Sequence, residues 1–424
     1  MAATPWRKVK LKEVCQRITV GHVGPMADKY INDGIPFLRS QNISPFQLDT
    51  KDIKFIPRSF HQQLQKSALN PGDVAVVRTG YPGTACVIPP GFTELNCADL
   101  VVITPSKDLN PYYLAAIFNS AWGRASVAGN LVGVAQQHFN IGAAKELVVE
   151  LPPRLVQDRF AGILSAYDDL IENNQRRIKI LESMGRALYR EWFVNFRFPG
   201  YEKYRRVASP LGDIPDSWEC LQLANLINVL HGYAFKGEYF SDEPTSQVLT
   251  TPGNFKIGGG IKYDRLKFYR EDGPLDTGHI LKPMDLVLTM TDLSKTGDTL
   301  GFPAFIPKLG SLSFLHNQRV GRVVPLSQFF PKHFLYCLLC DERYRHHILG
   351  GATGTSVKHT SPGRILSYAF ALPKEIKLID VFENLARPIF QQMNVLIEEV
   401  QNLRHTRDML LPRLLSGQVQ LQEM

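Results

Sequence analysis

The chain has 424 residues, 44% of them hydrophobic, enough for more than one core and in the range of two to three domains. Its formal charge of +8 is compatible with a polyanionic partner and does not require one. No apolar run is long enough to cross a bilayer, the opening MAATPWRKVK lacks the apolar segment of a secretory signal, and six scattered cysteines fit a reducing compartment, so a soluble cytoplasmic protein is expected.

From Trp6 to about Ile88, short apolar runs (VKLKEV, GIPFL, GDVAVVRT, TACVIP) alternate with Gly, Pro, Asn and Asp, which predicts curved, mostly antiparallel β structure. The first clear helix follows Asn110, an N-cap residue with Pro111 at the first helical position. A Gly-rich loop, GNLVGVAQQHFNIG, and a strand-like LVVELP complete an α+β domain over residues 1–153.

Residues 154–198 read as one long helix. Phe160, Leu164, Tyr167, Ile171, Asn174, Ile178, Leu181, Gly185, Leu188 and Trp192 follow at alternating steps of four and three, the seam of a coiled coil. Adding 222 to each position gives Phe382, Ala386, Ile389, Met393, Leu396, Val400, Leu403, Arg407, Leu410 and Leu414, so the partner helix lies in the same chain, within residues 375–424. A buried Asn174 would fix register in the seam, with partial exposure at the middle of the rod as the alternative, and Gly185 and Arg407 would mark a close or wet section. Pro388 is expected to start or kink the second helix.

The turn-rich stretch 199–217 reads as a linker. Residues 218–374 then repeat the plan of the first domain. Trp218 answers Trp6, KPMDLVLT (from Lys282) answers NPGDVAVV (from Asn70), PKHFLYCLLC answers NPYYLAAIFN, and GGATGTSVKHTSPG answers the first Gly-rich loop, placing His359 opposite His138. The expected fold is α+β, with two repeated globular domains, each followed by a long helix, and the two helices paired as a coiled coil.

Catalytic signals fail on inspection. Asn110-Pro-Tyr-Tyr113 approaches the Asn-Pro-Pro-aromatic signature of amino-methyltransferases, but no Gly-rich cofactor loop precedes it and an apolar helix follows, so a helix cap is the better reading. Cys337 and Cys340 lie in an apolar helical run without a second ligand pair, which favours core residues over a metal site. No phosphate-binding loop of the G-x-x-x-x-G-K-[ST] type occurs, and Glu375-Ile-Lys377 reads as a helix start and not half of a nuclease motif.

What does recur is a set of polar loops at matching places: Arg39, Ser40, Gln41 and Asn42; Arg78, Thr79 and Tyr81; and Gln136, Gln137 and His138 in the first domain. The second has Asn254 and Lys256; Ser294, Lys295 and Thr296; and Thr355, Lys358 and His359. These side-chain types read base edges in a major groove, although strand-end loops of many proteins are polar too. As a repeated pattern they are the candidate DNA-contacting residues.

The stretches LESMGRALYREWFVNFRFPGYE (from Leu181) and RPIFQQMNVLIEEVQNLRHTRDMLLPRLLSGQV (from Arg387) resemble the two repeated helical regions of the specificity subunits of type I restriction-modification systems. GIPFLRSQNI, NPGDVAVVRTG and LPPRLVQDRFAGILSAYDDLI add to that resemblance. It implies that each globular domain is a target recognition domain reading half of a split sequence in double-stranded DNA, and that the long helices pack antiparallel as a spacer. It also implies a prokaryotic host and two modification subunits that use S-adenosylmethionine to methylate adenine. Restriction subunits using ATP and Mg2+ would complete the complex, and this chain would be a reader without catalysis. The competing expectation is a coiled-coil scaffold that recognises no DNA sequence.

Overall fold

The computed structural model describes residues 6–131, 138–263 and 266–415. They form a mixed helix and strand structure in two compact units, Met1–Glu172 with Asn402–Met424, and Asn173–Gln401. No described helix is long and apolar enough to cross a membrane.

In the first unit, strand Arg7–Lys10 pairs antiparallel with Val148–Leu151. A four-stranded antiparallel sheet runs in the order Cys15–Val20, Leu100–Pro105, Val74–Val77, Ala85–Val87. Its central strands, VAVV and LVVITP, are runs of β-branched residues, as expected where both faces are covered. Val74, Val76, Val101 and Ile103 enter one core, and Ala75, Val77, Leu100 and Val102 enter another, so the sheet separates two apolar layers. A second sheet places Ile35–Leu38 antiparallel to Lys54–Ile56 and parallel to Asn96–Cys97. Helix Pro111–Asn119 starts where the sequence puts it: Asn110 Oδ1 accepts the N–H groups of Tyr112 and Tyr113 at 2.8 and 3.2 Å.

The second unit pairs Trp218–Gln222 with Ala369–Pro373. Its four-stranded sheet runs Ile227–His231, Val320–Pro325, Leu286–Thr289, Pro303–Phe305. A five-stranded sheet sets Gln247–Thr250 antiparallel to Lys267–Tyr269 and parallel to Ser313–His316. The stretch read as a linker holds a small hairpin, Arg206–Val207 with Ile214–Pro215, and Phe196 and Phe198 pack on Trp218 with ring centroids 5.0 and 5.4 Å away.

The long helices are Arg154–Tyr189 and Lys377–Leu415, and each contributes residues to both units. The first ends sooner than the seam suggests, in a π-helical turn, Arg190–Val194, that carries buried Trp192 and Phe193. The second begins before Pro388 and runs through it. The ring deprives the Asn384 carbonyl of its helical donor, and both residues are exposed, so water can replace the bond. Of the seam residues, Phe160, Leu164, Ile171, Asn174, Phe382, Met393, Leu396 and Val400 are buried, and Tyr167, Ile178, Leu181, Leu188, Ile389, Leu403 and Leu410 are half-buried.

Candidate nucleic-acid interface

In the first unit, strand Ile35–Leu38 leads into a 3-10 turn, Ser40–Asn42. Asn42 is buried and spends its side chain on the loop itself: Oδ1 accepts the Arg39 N–H at 2.9 Å and Nδ2 donates to the Asp49 carbonyl at 3.0 Å. Arg39 Nη2 donates to Asp52 Oδ2 at 2.9 Å, and Gln41 Nε2 donates to the same oxygen at 2.9 Å. Hydrogen bonds from Arg39 and Lys54 hold the Asp52 carboxyl below its usual range. Arg78 Nη1 lies 3.3 Å from Asp99 Oδ1, and Ser40 Oγ lies 3.4 Å from the Asp99 carbonyl, so these two loops converge on Asp99. The Phe139 N–H donates to the Arg78 carbonyl at 3.1 Å, which brings half-buried His138 beside this group. Thr79 is half-buried and Tyr81 is exposed; Gln136 and Gln137 lie outside the described residues.

The second unit builds a similar frame with other side chains. Strand Gln247–Thr250 leads into the 3-10 turn Pro252–Asn254, where buried Asn254 Oδ1 accepts the Thr251 N–H and hydroxyl, each at 2.8 Å. The Lys256 ammonium sits 5.9 Å from the Tyr263 ring centroid. Asp292 organises the next loop: it accepts the Ser294 N–H at 2.6 Å, the Thr299 hydroxyl at 2.6 Å and the Thr299 N–H. Ser294 Oγ accepts the Asp298 N–H and Thr296 Oγ1 donates to Asp298, leaving Lys295 exposed between them. Thr291 pairs with His359 and Asp292 with Lys358 in a short antiparallel ladder, and Thr291 Oγ1 is 3.1 Å from His359 Nδ1. Ser294, Lys295 and Thr296 thus come from the loop that follows one ladder strand, and Lys358 and His359 form the other. Thr355 is exposed in the loop that leads into it.

Each unit also fastens a loop to a long helix through an arginine. Arg407 Nη1 is 2.6 Å from Asp168 Oδ1, with its guanidinium 4.9 Å from the Phe46 ring. Burial pushes the Asp168 carboxyl up, and Arg407 opposes that shift. Arg186 pairs with Glu182 at 2.5 Å and donates to the Gly258 carbonyl, while Cys340 Sγ is 3.3 Å from the same carbonyl. Cys337 is buried with its Sγ 3.7 Å from the Gly185 carbonyl, so both cysteines serve helix packing. Asn174 Nδ2 has no acceptor among the described residues.

A reading by residue type missed the acids that hold the arginines, Asp52 and Asp99, because it sought donors for bases. It also missed the turn Asn317–Gln318–Arg319, where the Arg319 N–H donates to Asn317 Oδ1 at 3.0 Å, the Val320 N–H to the Asn317 carbonyl at 3.0 Å and the Gln318 N–H to the Tyr233 carbonyl at 2.9 Å. An Asn-Gln-Arg triplet before an apolar strand was the available signal.

Residues 4–183 match the family model described as the type I restriction modification DNA specificity domain. The chain is 23% identical over 292 residues to the type I restriction enzyme MjaIX specificity subunit of Methanocaldococcus jannaschii, covering 66% of this chain and 62% of that protein. It is 24% identical over 287 residues to the MjaVIII specificity subunit of the same organism, covering 64% of each. The chain therefore spans less than two thirds of either relative. Among solved structures, the S subunit of a type I restriction-modification system from M. genitalium superposes with a TM-score of 0.54 at 12% identity, over 98% of this chain and 97% of that one, a likeness of fold.

Proposed function

We propose, from the match of residues 4–183 to the type I restriction modification DNA specificity domain, that the whole chain is the DNA specificity subunit of a type I restriction-modification complex. Residues 1–153 and 218–374 are its two target recognition domains, each reading one half of a split target in double-stranded DNA. Residues 154–198 and 375–424 carry the spacer helices.

The observation that carries this reading is one loop frame built twice with different side chains. Both units have a four-stranded sheet of the same plan, beside a sheet whose parallel pair ends at the polar loops. In each, an Asn closes the 3-10 turn after the parallel strand, Asn42 in one and Asn254 in the other. The Arg78 carbonyl receives the Phe139 N–H and the Met290 carbonyl receives the Thr360 N–H at 3.0 Å, so the loops beside His138 and His359 attach alike. A Cβ on Gly21 would lie 2.8 Å from the Cys97 carbonyl oxygen, and one on Gly232 would lie 2.1 Å from that of His316, so both places require glycine for close strand approach.

An antiparallel spacer is supported by contacts inside each unit. Phe160 and Leu164 share a core with Leu411 and Leu414, and Asp168 meets Arg407. Gly185 meets Phe390, and Phe193 meets Phe382 at 5.2 Å. In every case residue numbers rise along one helix as they fall along the other. Such a pair would space two half-sites by its length.

Lysines and arginines on the loops would neutralise phosphates and supply much of the affinity, while loop side chains read base edges. No catalytic step is assigned to this chain. Two modification subunits would bring S-adenosylmethionine and extrude the adenine they methylate, and restriction subunits would use ATP and Mg2+ for translocation and cleavage. The setting would be the prokaryotic cytoplasm. Selection from a random duplex library by the chain, co-purified with its modification subunits, tests the reading. Two short fixed blocks around an unspecified gap are expected; no sequence preference from a folded complex would leave a scaffold instead.

A further inference from the structure

Both units turn the chain at the same place, between the strand of the parallel pair and the central strand of the four-stranded sheet. In the first unit, the His22 N–H donates to the Cys97 carbonyl at 2.8 Å and the Asp99 N–H to the His22 carbonyl at 3.1 Å. Leu100, which follows Asp99, pairs with Val77. In the second, the Tyr233 N–H donates to the His316 carbonyl at 2.8 Å, the Gln318 N–H returns to the Tyr233 carbonyl at 2.9 Å, and Val320 pairs with Thr289. By these bonds Gln318 stands where Asp99 stands. Arg319 is one residue more than the first unit has.

That extra residue is exposed on a turn with little freedom. Its N–H goes to Asn317 Oδ1, and its carbonyl accepts the Met290 N–H at 3.0 Å. Among the described residues its guanidinium meets no carboxylate, whereas Asp99 holds Arg78 in the first unit. The surroundings are cationic. Buried His316 is pushed down to about 4, first by burial, with its interactions with Arg322, His279 and His231 adding to the shift. The next rung of chain beyond Met290 is the ladder that carries Lys358 and His359.

We propose that Arg319 is a base-reading residue of the second recognition domain and takes a guanine, by bidentate donation to O6 and N7. This rests on the bipartite DNA reading above. The first unit argues for a base and against a phosphate: it presents a carboxylate on the same turn, which would repel a phosphate but can accept from a cytosine amino group. A turn that carries an acid in one unit and, at an inserted position beside the matching residue, an arginine in the other faces base edges. A rigid backbone under an uncommitted guanidinium supplies the fixed geometry that bidentate contact demands.

The test uses the full chain co-purified with its modification subunits and the duplex it selects, with every single-base change in both half-sites measured at two salt concentrations. Arg319→Ala should lose discrimination at one base-pair position of one half-site, by roughly 5- to 150-fold, and leave the other half-site untouched. Arg319→Lys keeps the charge without the fork, and should recover overall affinity more than discrimination at that position. A uniform loss across all sequences with a shallower salt dependence would identify a phosphate contact and overturn the inference, as would unaltered discrimination. If the unaltered complex selects no sequence, the bipartite reading itself falls. If it selects and the variants discriminate as it does, only the role of Arg319 falls.

Discussion

The two loop faces differ less in backbone than in where they keep their charges. In the first unit the arginines are held by acids, Arg39 by Asp52 and Arg78 by Asp99. In the second, Asp292 is spent on backbone and hydroxyl donors of its own loop, and Lys295 and Arg319 stand exposed. A scaffold fixed by main-chain hydrogen bonds, buried apolar strands and inward-facing loop residues such as Asn42 and Asn254 leaves the outward loop side chains to vary at little cost to the fold. That is what the proposed reading of two different half-sites would require.

The comparison can be broken hardest where the units close the same helix differently. Asn110 caps its helix from within, aided by Gln157, which accepts the Asn110 N–H at 2.8 Å. The matching helix, Lys332–Cys340, starts after a proline and relies on Glu383 of the second long helix, whose carboxylate accepts the N–H groups of His333 and Phe334 at 3.0 and 2.8 Å and lies 2.7 Å from His333 Nδ1. Glu383→Ala should destabilise the second unit by about 3 to 5 kcal/mol, because buried donors lose their acceptor, and Asn110→Ala should cost the first unit about 1 kcal/mol. Hydrogen exchange of the two helices measures both.

A second contrast is pH. His316 has a depressed folded-state value, so the unfolded chain binds the proton more readily between about 4 and 6.5, and stability present above that window is lost as pH falls through it. The loss should approach about 3 kcal/mol in the second unit near pH 4. His316→Gln should flatten it, while the matching residue of the first unit, Cys97, does not titrate there because burial pushes its thiol up. Chemical denaturation at stepped pH separates the two.

Smaller again, Asn42→Ala and Asn254→Ala each remove the acceptor that closes a 3-10 turn, and should cost about 1 to 2 kcal/mol locally and blur one half-site apiece. Smallest in stability is Asp52→Asn on the exposed edge of the first unit. It should leave unfolding unchanged yet alter selection at the first half-site, by freeing Arg39 and Gln41. Melting curves and library selection score these together.

Much of the scaffold was legible because its signals are local or periodic. Asn110 with Pro111 marked a helix start, VAVV marked a strand, and steps of four and three marked the long helix that carries Phe160 to Leu188. The end of the first helix was not legible, since Trp192 continues the apolar pattern while the backbone widens into a π turn. Pro388 could not place the start of the second helix, because its cost depends on whether the freed carbonyl meets water, which only the fold decides. At the interface, residue type found the loops but could not separate Asn42 and Asn254, which shape them from inside, from Lys295, which stands outside. The turn of Arg319 escaped because its rigidity comes from Tyr233 and Met290, far away in sequence.

The central claim is that two readers are held apart by a helical ruler. Removing one heptad from each long helix at opposed positions, residues 175–181 and 394–400, preserves the seam and shortens the pair by about 10 Å, roughly three base pairs. Library selection by this variant with its modification subunits should return both original blocks with a gap shorter by about three base pairs. An unchanged gap, or an altered block, would contradict the account.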